Sequence, residues 1–149
     1  MRIVSPSPAK TRALGMLFGK ELKKHKPATR GAFVIGLDGN LGSGKTTFMQ
    51  GFGKGVGAQG RIVSPTFIIM RRHALRRPHT GSLVHMDVYR IKKVRELRPL
   101  RFEDMLKDPR NIIVVEWANR IKKALPKNTV WIKFIHGKSV RERKIYIGK

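Results

Sequence analysis

Apolar residues along this chain switch between two periods, and the alternation predicts a layered α/β domain. Across residues 9–24, Ala13, Leu14, Leu17, Phe18 and Leu22 recur at helical spacing behind a Ser-Pro-Ser-Pro entry, which predicts an amphipathic helix. Residues 25–30 are polar and read as a linker. Residues 31–38 (GAFVIGLD) form a short, mostly apolar, β-prone run of the kind that fills a buried strand. After a glycine-rich turn, residues 45–57 return to helical spacing, with Phe48, Met49, Phe52 and Val56 on one face.

The second half repeats the scheme. Residues 62–63 and 67–70 are short β-prone runs separated by Ser64-Pro65-Thr66, and the basic stretch 71–80 reads as an exposed hairpin connection. Residues 83–88 predict a strand ending near Asp87; residues 94–106 predict a helix interrupted or restarted at Pro99. Four consecutive Ile and Val residues make 111–115 the cleanest buried strand, ending at Glu116. Residues 117–125 predict a short helix stopped by Pro126, and 130–136 with 144–147 predict an antiparallel hairpin. Strands alternating with helices, then a closing hairpin, give one three-layer α/β domain over residues 1–149, with a mixed central sheet.

Composition narrows the chemistry. With 40 % hydrophobic and 28 % charged residues in 149, the chain can bury one core. It has no cysteine, which excludes disulfides and thiolate metal sites. The five histidines show no pair at helical ligand spacing and read as ordinary imidazoles. The first residues lack the apolar core of a signal peptide, and no apolar run approaches the roughly 18 residues that cross a bilayer, so a cytoplasmic protein with no membrane partner is expected. Thirty-three Lys and Arg against nine Asp and Glu give a net charge of +24, a field that favours polyanions such as RNA, DNA or anionic lipid. The few aromatics are not interleaved with the basic runs, so no base-stacking platform is indicated.

One segment carries specific chemistry. Gly39, Asn40, Leu41, Gly42, Ser43, Gly44, Lys45 and Thr46 fit G-x-x-x-x-G-K-[ST] at every position, between a predicted strand and a predicted helix. Glycines let the backbone curl so that successive N–H groups face phosphate oxygens, and the following helix adds its positive end. Lys45 would neutralise the β- and γ-phosphates of ATP, Thr46 would ligate Mg2+, and Thr47 would reach the α-phosphate. A metal-bound triphosphate also needs a carboxylate at the carboxyl edge of the sheet. Asp38, Asp87 and Glu116 fall there; Glu116 is the best candidate and Asp87 the second.

The order GNLGSGKTT (39–47), SPTF (64–67), HMDVYR (85–90) and VEW (115–117) resembles the TsaE family, formerly YjeE, over residues 11–143. That family supplies the ATPase of bacterial tRNA threonylcarbamoyladenosine biosynthesis. The resemblance implies a mixed-sheet P-loop fold, magnesium-dependent ATP hydrolysis that resets a complex with TsaB and TsaD proteins, and slow turnover without them. It implies that Lys45 and Thr46 hold phosphate and metal, and that Thr66 senses the γ-phosphate. Asp87 would stand beside the metal and its water, with Glu116 coordinating magnesium through water. Trp117 would belong to the active-site or partner face, and Thr11 would approach the nucleotide base.

Three departures stand out. Asn40 replaces the family's usual Asp, Arg101 replaces a glycine suited to a left-handed helix end, and relatives are far less basic. Two other function classes fit parts of the sequence. A small P-loop kinase would need an acceptor pocket and an arginine-bearing lid, for which residues 71–77 could be mistaken. A nucleotide-gated RNA-binding module would use the basic surface, which could also give the ATPase a direct or indirect tRNA contact.

Overall fold

The computed structural model describes residues 1–25, 30–77 and 81–148. In chain order the elements are β1 (Arg2–Ser5), α1 (Pro8–Lys24), β2 (Phe33–Asp38), α2 (Lys45–Val56), β3 (Met70–Ala74), β4 (Ser82–Asp87), a 3-10 segment (Val94–Leu100), α3 (Phe102–Lys107), β5 (Ile112–Glu116), a second 3-10 segment (Ala118–Ala124), β6 (Val130–His136) and β7 (Arg143–Gly148). They build one seven-stranded sheet in the order β1-β7-β6-β2-β5-β4-β3. The central β6, β2, β5 and β4 run parallel; β7 and β3 flank them antiparallel, and β1, antiparallel to β7, runs in the same direction as the central strands.

Burial explains the central pattern. β5 is buried at all five positions because helical segments cover both sheet faces, so it reads as Ile-Ile-Val-Val without alternation. Ile35, Leu37, Leu83, Ile112 and Val114 pack against Phe48, Met49 and Phe52 of α2. On the opposite face, Val34, Val84, Met86, Ile113 and Val115 pack against Leu97, Phe102, Met105 and Ile121. Register then places the site. Glu116 on β5 sits opposite Leu37 on β2 and Asp87 on β4, so the carboxyl ends of three parallel strands share one edge.

α1 meets α2 through glycine. A Cβ at Gly15 or Gly51 would fall inside the carbonyls of Phe48 or Arg12 respectively, so the two backbones lie in direct contact. The inward face of α1 is therefore Thr11, Gly15, Gly19 and Leu22, with Leu14 and Phe18 beside it. Ala13 and Leu17, expected on that face, point to solvent. Small residues, not large ones, mark the buried stripe.

Other expectations need correction. Residues 62–63 form no strand, and the run 67–70 is a turn that enters β3 only at Met70. Arg71–Ala74 is not a connection but the edge strand itself, where Arg71 and Arg72 are exposed because no further strand covers them. The rest of that predicted connection includes residues 78–80, and the predicted linker includes 26–29; both lie outside the described residues. The predicted helix over 94–106 breaks at Arg101, not Pro99: Pro99 is accommodated in the 3-10 segment, and Arg101 takes a left-handed conformation (φ 53°) before α3. The expected helix over 117–125 is 3-10 and starts at Ala118, because Trp117 is also left-handed (φ 62°). β1 was not foreseen; its four residues pair with β7, outside the expected hairpin.

Candidate functional site

The glycine-rich segment leaves β2 and turns into α2, as its spacing requires. Gly39 (φ 145°) and Gly44 (φ 100°) adopt backbone conformations that side chains disfavour, and a Cβ on Gly39 would crowd Ser43 Oγ at 2.7 Å. Gly44 caps α2, so the helix's positive end and its free N–H groups face the loop. Leu41 stands at the tip, 86 % exposed. Asn40 acts through its backbone: its carbonyl accepts from Lys45 Nζ at 3.0 Å and from the Ser43 amide at 3.1 Å.

Lys45 is a buried cation. Its Nζ donates to the Gly39 carbonyl at 2.6 Å and lies 4.2 Å from the Trp117 ring centroid. Burial lowers its pKa below the usual lysine value, partly opposed by the carboxylates of Glu116, Asp87 and Asp38. Asp38, at the end of β2, is the weakest of these three counter-charges.

The carboxylates expected at the strand ends converge on this lysine's neighbourhood. Thr46 Oγ1 lies 3.4 and 3.5 Å from the two Glu116 oxygens. Thr66 Oγ1 donates to Asp87 Oδ2 at 2.9 Å and shares a 2.6 Å hydrogen bond with Ser64 Oγ. The Tyr89 amide donates to Asp87 Oδ1 at 2.9 Å, which fixes the second oxygen. Tyr89 packs on Trp117 with centroids 4.8 Å apart, and the Arg120 guanidinium lies over Tyr89 at 5.1 Å. Arg90 turns away, over the exposed Phe67 ring.

One cleft is lined by Pro8, Thr11, residues 41–47, Ser64, Thr66, Asp87, Glu116, Trp117, Arg141 and Arg143. The structure thus brings Leu41, Gly42, Ser43, Gly44, Lys45, Thr46, Thr47, Thr66, Asp87, Glu116 and Thr11 together. Gly39 and Asn40 lie behind the lysine and do not line that cleft. Thr11 forms wall and not a contact arm: its hydroxyl bonds Ser5 Oγ at 2.8 Å and the Ser7 carbonyl at 3.2 Å, leaving its methyl toward Gly44.

Three contributors escaped the sequence reading. His85 is fully buried on β4, and its Nε2 bonds Glu116 Oε1 at 2.8 Å, while its Nδ1 has no partner among the described residues. With Glu116 as carboxylate, that geometry makes Nε2–H the donor. The signal was present, since His85 precedes Asp87 by two on a strand and so shares its face. Arg143 donates from Nη2 to the Gly42 carbonyl at 2.9 Å and from Nη1 to the Val140 and Glu142 carbonyls at 2.7 and 2.8 Å. Arg141 lines the same wall. Nothing local separates these two from the other arginines; only sheet order carries β7's start to the loop.

Among the described residues no group of three or more His, Asp or Glu could hold a metal ion. The Thr46 hydroxyl and Glu116 carboxylate still fit magnesium. They are hard oxygen donors facing each other, and this ion takes one or two protein oxygens with phosphate and water completing its shell.

A mixed sheet with its glycine loop and lysine at the carboxyl edge defines a P-loop NTPase-like fold. A family model described as "Threonylcarbamoyl adenosine biosynthesis protein TsaE" matches residues 5–145. The chain belongs to the TsaE family. A Treponema pallidum protein named tRNA threonylcarbamoyladenosine biosynthesis protein TsaE is 33 % identical over 132 residues, covering 89 % of both chains. The TsaE protein of Synechocystis is 37 % identical over 106 residues, 70 % of this chain and 64 % of its own. In the Mycobacterium bovis TsaE protein the 38 % identical match spans 57 % of that protein's length. The crystal structure of Bacillus YdiB superposes with a TM-score of 0.72 at 27 % identity, covering 97 % of this chain and 82 % of that one. Among the described residues, no helix is long and apolar enough to cross a membrane.

Proposed function

We propose that this chain binds ATP with magnesium and hydrolyses it, and that turnover resets a cytoplasmic tRNA threonylcarbamoyladenosine assembly containing TsaB- and TsaD-type proteins. The observation that carries the reading is the single cleft in which the glycine loop, Lys45 and Thr46 face Glu116 and the Thr66–Asp87 pair.

In this reading the loop amides and the α2 N-terminus hold the phosphates. Lys45 exchanges its two carbonyl partners for phosphate oxygens, which match its charge better than neutral acceptors do. Thr46 and Glu116 would hold magnesium, which would supply positive charge against the terminal phosphates. Asp87, fixed by the Tyr89 amide, is placed to orient the attacking water. Thr66 donates its hydroxyl to Asp87 and could offer it instead to a γ-phosphate, which gives the 64–66 segment two partners to choose between. Arg141 and Arg143 add positive charge on the wall shared with Pro8 and Thr11.

Phosphate release from labelled ATP tests the reaction. The chain should release free phosphate slowly when alone, faster with both partner proteins, and label no acceptor. Glu116→Ala should lower turnover about 100-fold or more with a smaller loss of binding. Full turnover by Glu116→Ala removes that residue from the mechanism, and a labelled acceptor makes the chain a kinase.

A further inference from the structure

The nucleotide site does not account for a charge of +24. On the face of α3 and the first 3-10 segment, cations are interleaved with acids: Arg101 pairs with Asp104 and Arg110 with Asp108, each at 2.9 Å. The α1–α2 face has one such pair, Lys24 with Glu21 at 3.4 Å near the end of α1, but neither residue lines the groove on that face. Arg12 of α1, Lys54 of α2 and Arg61 of the following segment surround a groove that also contacts Gln50, Ala58 and Ile62. No carboxylate lines it. The Arg12 guanidinium is held by the neutral amide oxygen of Gln50 at 3.2 and 3.4 Å and forms no ion pair among the described residues. Beyond Lys54, the Lys23 ammonium and the Arg76 side chain both lie beside Gly57, at the end of α2. The negative end of α2 accounts for cations at its last turn such as Lys54, but not for Arg12, which lies beside Gln50 at mid-helix.

We infer that this groove binds the phosphodiester backbone of a structured RNA. Its lining contains no aromatic ring, so it offers phosphate contacts and no base stacking. It also presents no large exposed apolar side chain of the kind that inserts into a bilayer. The groove runs along the outer half of α2, away from the phosphate loop at the helix's other end, so RNA and nucleotide can be held together. The inference does not depend on ATP turnover.

The test is fluorescence anisotropy of a labelled tRNA transcript titrated with the full chain across a salt series. The triple variant Arg12→Gln, Lys54→Gln, Arg61→Gln is compared with a control, Arg95→Gln, Arg98→Gln, Lys107→Gln, on the opposite face. Retained Mg-ADP binding confirms that each variant is folded. The groove variant should flatten the log–log salt slope by about 2 to 3, roughly one per lost phosphate contact, while the control leaves it near wild type. Equal losses in both variants, or no tRNA binding by the wild type at low salt, overturn the inference. Tighter binding to phosphatidylglycerol vesicles than to tRNA at equal phosphate overturns it too, in favour of a membrane surface.

Discussion

Lys45 shows how the site holds charge before a ligand arrives. Desolvation lowers its pKa, so the folded protein gives up this proton more readily than the unfolded chain does. At neutral pH the charged side chain therefore costs stability that the carboxylates of Glu116, Asp87 and Asp38 only partly offset. Lys45→Met should leave Tm unchanged or raise it while abolishing Mg-ATP binding; a clear fall in Tm would mean the lysine supports the fold. The same linkage sets a sign: stability lost to this burial is recovered as pH rises through the folded pKa toward 10.5, and the variant lacks that gain. His85 acts one step further back. By bonding Glu116 Oε1 it fixes the carboxylate whose two oxygens lie 3.5 and 3.4 Å from Thr46 Oγ1. His85→Leu should lower turnover about 10-fold or more, with ADP affinity in the absence of magnesium unchanged, as orienting partners of metal-site carboxylates do. His85→Gln, which keeps an N–H donor, should recover part of the loss. If neither variant changes turnover, His85 is packing only.

At the scale of elements, the α1–α2 contact is the joint on which the cleft depends. Gly51→Ala puts a methyl group into the Arg12 carbonyl, and the helices must separate. Overpacking of this kind costs about 1–3 kcal/mol. Urea denaturation should show that loss, and ADP affinity should fall with it, because α1 carries Thr11 against Gly44. Unchanged stability would show that the helices yield freely. The same contact explains what the sequence concealed. Phe48, Met49, Phe52 and Val56 announced the sheet-facing side of α2 because burial there uses large residues. Gly15 and Gly51 mark an equally buried side with no apolar signal. β3 was hidden for the opposite reason: an edge strand of sequence Met-Arg-Arg-His-Ala needs charge to stay unpaired. Arg101 stood out only through the family resemblance, as a replacement for glycine; the local pattern pointed to Pro99, and Arg101 is the left-handed residue, tied to Asp104.

For the whole molecule, local pattern located the phosphate loop and the three strand-end acids, because loop chemistry and strand length are short-range properties. It could not show that β7 returns beside the loop and brings Arg143 to Gly42, a contact across 101 positions of sequence. Nor could it assign the basic residues to faces, which only the layering does. The reading stands on one physical event: the loop amides, the α2 N-terminus and Lys45 taking up a nucleotide's terminal phosphates. Isothermal titration calorimetry of the purified chain with Mg-ATP and Mg-ADP measures it directly. Saturable one-to-one heat for both nucleotides, lost in Lys45→Met, is the predicted result; no heat from either nucleotide with the folded wild-type chain would contradict the account.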